Sequence, residues 1–170
     1  MSKNIVNRVE KSKLILIDLE DYYLSGDRYE IDLKNWLVED LFLKEKEFRK
    51  KIKTHNWDQY KDAFVAIHCS TKAIIPPWAY MLISSELTKH AKITVLGNLK
   101  ELEKKIFEDQ IEKINLEAFK DKSIVIKGCS NKKVPVSIFY KLSTMLIPIA
   151  KSIMYGEACS SVPVYKRSTS

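Results

Sequence analysis

Three cysteines, Cys69, Cys129 and Cys159, are the residues of this chain whose type most readily does chemistry. Thiolates are nucleophiles and soft metal ligands, so three of them could hold zinc or an iron–sulfur cluster with one position left open. None sits in a C-x-x-C pair, the usual signature of a structural zinc site. His68 or Glu157 is available as a fourth ligand, although strand alternation points His68 away from the face that Cys69 takes. Three small side chains packing as hydrophobes is the competing account of the trio. Cys129 stands apart from that account. It lies between Gly128 and Ser130 and is followed by Lys132 and Lys133, a setting that favours a reactive thiolate.

The cysteines also open two similar tetrapeptides, Cys-Ser-Thr-Lys (69–72) and Cys-Ser-Asn-Lys (129–132). Each precedes a predicted helix, whose free N–H groups and dipole favour an anion. Ser70 and Ser130 would add hydroxyl donors, and Lys72 and Lys132 positive charge, for a phosphate or carboxylate. The motif lacks the glycines of a phosphate-binding loop, and plain helix capping by serine explains the same residues. A third grouping, Asp18, Glu20 and Asp21, follows an apolar run and reads as a solvated turn. His55, His68 and His90 are scattered, and no Ser–His–Asp arrangement follows from them.

The elements that must position these residues have an α/β rhythm. Leu14–Leu19 is an apolar strand, Gly26 and Asp27 mark a turn, and Arg28–Leu33 alternates as a half-buried strand should. Residues 36–43 are ambiguous. Residues 44–55 read as a basic helix with Phe48 and Ile52 as a thin apolar stripe and Glu45–Arg49 and Glu47–Lys51 as supporting pairs. Strands at 63–69, 92–97 and 123–129, and a last one at 151–156, alternate with helices that open at Pro76–Pro77, span 99–113 and open at Pro135. A short helix is expected at 115–121.

Residues 64–97 and 124–156 read as an internal repeat, each copy a βαβ unit, with one residue deleted before the proline of the second copy. Val65 then falls on Val125, Cys69 on Cys129, Ser70 on Ser130 and Lys72 on Lys132. Pro76 falls on Pro135, Tyr80 on Phe139, Ser84 on Ser143, Leu87 on Leu146, Ala91 on Ala150 and Gly97 on Gly156. The expected fold is α/β, a three-layer sandwich whose mostly parallel sheet is built from two pseudo-repeated βαβ units, preceded by an N-terminal strand pair and the basic helix. One domain over 1–165 and a frayed tail at 166–170 complete the expectation. Parallel sheets bind ligands outside the carboxyl ends of their strands, where all three thiols and Gly97, Gly128 and Gly156 are predicted.

The whole-chain numbers exclude several classes. With 45% apolar and 30% charged residues, 170 residues suit a globular chain that buries a core without staples. A net charge of +7 favours acidic partners, but the basic helix interleaves lysine with glutamate and no nucleic-acid module follows it. The longest apolar stretch, 73–83, contains two prolines and is too short to span a bilayer. The N-terminus shows no apolar signal region, so a cytoplasmic protein with reduced thiols is expected.

Four blocks carry a family resemblance: NIVNRVEKSKLILIDLEDYY, the NWDQYKD–HCS–PPWAYM set, VIKGCSNKKVP and AKSIMYGEACSSVPVYK. Together they resemble the bacterial domain-of-unknown-function family numbered 2480, over nearly the whole chain. The resemblance implies a single-domain cytoplasmic protein with no assigned catalytic residues. It also implies iron–sulfur assembly proteins as partners. The leading expectation is therefore a thiol-lined site of Cys69, Cys129 and Cys159 serving iron–sulfur or sulfur handling. The first alternative is an enzyme or sensor binding a phosphorylated small molecule or nucleotide at two helix N-termini. The second is a protein-interaction module.

Overall fold

The computed structural model describes residues 14–128, 131–157 and 159–168. It is a mixed α/β fold with mostly parallel strands, as the alternation of apolar runs and proline-opened helices predicts. The chain divides into two compact units, one formed by residues 1–23 and 107–170 and the other by the continuous segment 24–106. We call these the first and second units. Among the described residues the strands form two sheets, where the sequence pattern predicts one. β1 (Leu14–Asp18) and β2 (Arg28–Asp32), expected as an N-terminal pair, join different sheets.

In the second unit β2 pairs in parallel with β3 (Phe64–His68), and β3 with β4 (Ile93–Leu96). β3 is central, and Phe64 to Ile67 are all buried, as both faces of a parallel strand should be. Helix α1 (Glu45–Thr54) buries only Phe48 and Ile52, and Glu45 and Arg49 pair at 2.7 Å on its exposed side. Helix α2 (Pro77–Leu87) starts at a proline, whose missing N–H costs nothing in a first turn, and buries Ala79, Ile83 and Leu87. Trp36, Phe48, Trp57, Tyr60 and Ile83 share one core.

In the first unit β1 pairs in parallel with β5 (Ser123–Lys127), and β5 with β6 (Ser152–Glu157). β7 (Ser160–Lys166) lies antiparallel on β6. Helix α3 (Leu99–Ile111) belongs to the second unit as far as Ile106 and to the first from Phe107. Helix α4 (Val136–Leu146) buries Ile138, Leu142 and Leu146 over Ile124, Ile126 and Ile153.

The two units repeat one plan, and the repeat extends beyond the expected segments. Strand-end Asp18 and Asp32 each cap a 3₁₀ turn, Leu19–Tyr22 and Leu33–Trp36. Further turns, Trp57–Tyr60 and Leu116–Phe119, precede β3 and β5. Asp62 and Asp121 follow in left-handed backbone, with φ of 57° and 55°, and donate their N–H groups to His90 O and Ile149 O, both at 2.9 Å. Aspartate tolerates this region better than most residues.

The register of the repeat differs from the expected one. One constant offset relates Asp62 to Asp121, Phe64 to Ser123, Ile93 to Ser152 and Pro76 to Pro135, with nothing inserted or deleted. The expected matches from Pro76 to Gly97 keep this offset. The Cys-Ser-x-Lys match does not. Cys69 stands where the other copy has Gly128, Ser70 where it has Cys129, and Val65 where it has Ile124.

The end of the chain also differs. Lys166 closes β7, and Arg167 N donates to Lys151 O at 2.9 Å, so these two residues are held rather than frayed. Residues 36–43 form neither a helix nor a named strand, only the end of a 3₁₀ turn and one bridge between Val38 and Phe42.

Candidate functional site

The carboxyl end of each parallel sheet gathers charged side chains through the repeated Ile-Asp-Leu at 17–19 and 31–33. In both copies the apolar neighbours are buried, which fixes the aspartate at the strand tip. In the first unit Asp18 Oδ1 accepts from Glu20 N at 3.0 Å, and its Oδ2 lies 3.1 Å from Lys127 Nζ. Lys127 Nζ also lies 3.8 Å from Glu157 Oε1, so one ammonium connects the ends of β1, β5 and β6. The Asp18 hydrogen bond and charge, with Glu157 beyond, hold the Lys127 ammonium above its ordinary pKa. Both carboxylate oxygens of Glu20 accept from Asn131 N, at 2.9 and 3.1 Å.

The loop from β5 to α4 leaves this edge through Gly128. Its φ is 145°, and a Cβ there would stand 2.7 Å from Leu19 Cβ, so the position requires glycine. Cys129 and Ser130 follow and lie outside the described residues. Lys132 is exposed, with its ammonium 4.6 Å from the centre of the Tyr23 ring. Cys159 is exposed in the turn between β6 and β7.

In the second unit Asp32 Oδ1 accepts from Lys34 N at 2.9 Å and from Ser70 N at 3.0 Å. Burial pushes the Asp32 carboxyl up. Hydrogen bonds from the Ser70 hydroxyl and from the Lys34 and Ser70 N–H groups, with His68 nearby, outweigh it and hold the group below its ordinary pKa. His68 Nε2 lies 3.2 Å from Glu30 Oε1, close enough for an ion pair when the ring is protonated but not aligned as a hydrogen bond. Cys69 Sγ lies 3.2 Å from Thr71 Oγ1, and Lys72 is exposed. Thus Ser70, offered by the sequence as a hydroxyl donor for an outside anion, gives its N–H to the chain's own carboxylate.

Of the three thiols, Cys159 therefore lies in a turn of the first unit and Cys69 in the second unit, and Cys129 lies outside the described residues. Among the described residues no three His, Cys, Asp or Glu side chains stand together as metal ligands. Glu30, Asp32 and Lys127 are the residues that sequence reasoning misses, and Asp18 and Glu20 are the ones it sets aside. The repeated Ile-Asp-Leu is the available signal, but in the sequence its first copy looks like a solvated turn. A cavity of the first unit, lined by Tyr22, Gln110, Lys113, Asn115 and Phe119, contains none of the predicted site residues. Among the described residues no helix is long and apolar enough to cross a membrane.

The family model described as "Protein of unknown function (DUF2480)" matches residues 3–167, nearly the whole chain. The chain belongs to this family. No curated protein and no solved structure matches it. The family brings no activity with it, so function has to be read from the geometry of the two sheet edges.

Proposed function

We propose that the chain works through thiol chemistry at the carboxyl edge of the β1-β5-β6-β7 sheet, as an accessory or carrier in sulfur or iron–sulfur handling. Cys129 is the reactive group, Cys159 is its companion, and the site is that of a cytoplasmic protein with iron–sulfur assembly proteins as partners. The observation that carries this reading is the Lys127 bridge between Asp18 and Glu157. It joins the strand ends from which the Cys129 loop and the Cys159 turn depart. The Glu20 clamp on Asn131 N holds the far end of the Cys129 loop at the same edge. A fixed ammonium one residue before Gly128, and two lysines after Asn131, favour the thiolate over the thiol. Two thiols on neighbouring loops suit a shared soft metal ion or a sulfur passed between them. Cys69 belongs to the other unit, and the reading does not require it.

Competitive alkylation of the native protein at graded pH, read by mass spectrometry, tests this reading. Cys129 is expected to label fastest of the three, and Lys127→Met to bring its rate toward that of Cys69. Equal rates for all three thiols would sink the proposal. For the metal form, an anaerobic preparation should carry iron or zinc that is lost in Cys129→Ser. A metal-free wild type restricts the site to sulfur chemistry.

A further inference from the structure

The two units differ at one edge of their sheets. In the first unit β7 covers the outer edge of β6, with Tyr155 opposite Val162 and Ile153 opposite Tyr165. Val164 of β7 lines an apolar groove between β6 and α4 with Phe139, Tyr140, Ser143 and Tyr155. Arg167, the residue after the strand, acts as a latch. Its N–H donates to Lys151 O at 2.9 Å, and its guanidinium donates to Ile149 O at 2.5 Å and to the Asp121 carboxylate.

Among the described residues, the second unit has every part of this receiver except the strand. By the constant offset, Tyr80, Met81, Ser84 and Leu96 occupy the positions of Phe139, Tyr140, Ser143 and Tyr155, and they line the equivalent groove between α2 and β4. Asp62 stands where Asp121 stands, in the same left-handed turn, with its side chain exposed. His90 O corresponds to Ile149 O and accepts from Asp62 N as Ile149 O does from Asp121 N. Beyond β4 the chain turns at Gly97 into α3, and among the described residues β4 ends its sheet in the order β2-β3-β4. Leu96 is 63% and Met81 67% exposed. β4 carries no proline and no charge within Ile93–Leu96, two of the usual protections of a free edge.

We propose that the β4 edge receives an antiparallel strand from a partner protein, with small apolar residues at alternate positions and a basic residue just past its end. Main-chain hydrogen bonds along β4 supply affinity, and the groove supplies selection among apolar side chains. Asp62 and His90 O select the basic residue, as Asp121 and Ile149 O hold Arg167. The internal copy defines the chemistry of this occupant. It also supplies a probe, the chain's own segment Ser160–Arg167 as a free peptide, acetylated and amidated.

The test is a titration of the full-length, isotopically labelled protein with this peptide by NMR, with anisotropy of a fluorescein-labelled copy for affinity. The expected result is amide shifts confined to Ala91–Leu96 and the facing residues of α2. Met81→Asp should abolish detectable binding. Asp62→Asn, which keeps the left-handed turn, should weaken it about threefold, the scale of one exposed ion pair. A larger weakening is expected for the peptide carrying glutamate in place of Arg167, which loses the bond to the carbonyl oxygen as well and meets Asp62 with like charge. Absence of shifts at β4 up to millimolar peptide would overturn the proposal. So would shifts confined to β6, which would mean displacement of β7. Sedimentation that shows a dimer dissolved by Met81→Asp would assign the edge to a second copy of this chain and overturn the partner-strand assignment.

Discussion

At the tip of β3, His68 stands in register with Asp32, and at the tip of β5, Lys127 stands in register with Asp18. One plan has thus been given two chemistries. Lys127 is pinned between Asp18 and Glu157, while His68 turns to Glu30 and leaves Asp32 to bind the following loop through Ser70 N. In the first unit that clamp passes to Glu20, which reaches Asn131 two residues beyond Cys129. The frame holds its aspartates, turns and helix faces constant, and the loops at the strand ends diverge. That division is expected where a rigid scaffold carries function on its connections.

The two units are most easily told apart through their cores. Leu87 and Leu146 are equivalent, both fully buried, one in each unit. Truncation of either to alanine is expected to cost about 2–5 kcal/mol. All three tryptophans, Trp36, Trp57 and Trp78, lie in the second unit, so their fluorescence reports on that unit. In urea, Leu87→Ala should lower the fluorescence midpoint. Leu146→Ala should lower the circular-dichroism midpoint while leaving the fluorescence transition near that of the wild type. Coincident transitions in both variants would show that the units unfold as one.

A sharper contrast lies at Gly128 and Cys69, which occupy equivalent positions. Gly128 has φ of 145°, and an added Cβ would meet Leu19 Cβ at 2.7 Å, an atom anchored to the main chain that cannot swing aside. Gly128→Ala is therefore expected to destabilise the protein by roughly 1–3 kcal/mol. Cys69 is half-buried against the second unit's core, and Cys69→Ala should cost about 1 kcal/mol or less. Thermal melts of the two variants measure the difference, and equal losses would show that Gly128 tolerates a side chain.

The same position shows why part of the site is illegible in the sequence. Identity of Cys-Ser-x-Lys draws the two copies together with a gap, whereas strand register and the turns at Asp62 and Asp121 align them without one. Helix and strand existence is readable because the apolar spacing at Ile83 and Leu87, or at Leu142 and Leu146, follows from burial of one helix face. Strand partnership is not, since β1 and β2 are neighbours in the chain yet pair with distant strands. β7 escapes notice because Pro163 and its serines interrupt the apolar pattern of a strand. Proline is tolerated there because, among the described residues, β7 ends its sheet and needs no second set of ladder donors. Asp18 looks like part of a solvated turn and Asp32 like the polar side of a half-buried strand, and only the chain folded back at Ser70 or Asn131 reveals what Asp32 and Glu20 hold.

The smallest expected effect separates the two edges by pH. Asp32 has a folded pKa below its ordinary 3.8, so its contribution to stability is present above that value and is lost as the pH falls through the lower folded value. Lys127 is the opposite case. Its folded pKa lies above the ordinary 10.5, so its contribution is complete below that value and is lost as the pH rises through the higher one. The second unit's edge should therefore weaken at the acid end of the scale and the first unit's edge at the alkaline end. Asp32→Asn should flatten the acid limb of a stability–pH curve and leave the alkaline limb unchanged, and Lys127→Met should do the reverse. Both groups face solvent in part, so added salt should shrink the alkaline effect of Lys127 most, because its stabilisation comes from charged partners alone. Asp32 also draws on hydrogen bonds from Ser70 and Lys34, and its acid limb should persist in salt. Identical salt sensitivity of the two limbs would show that the edges are held by the same forces after all.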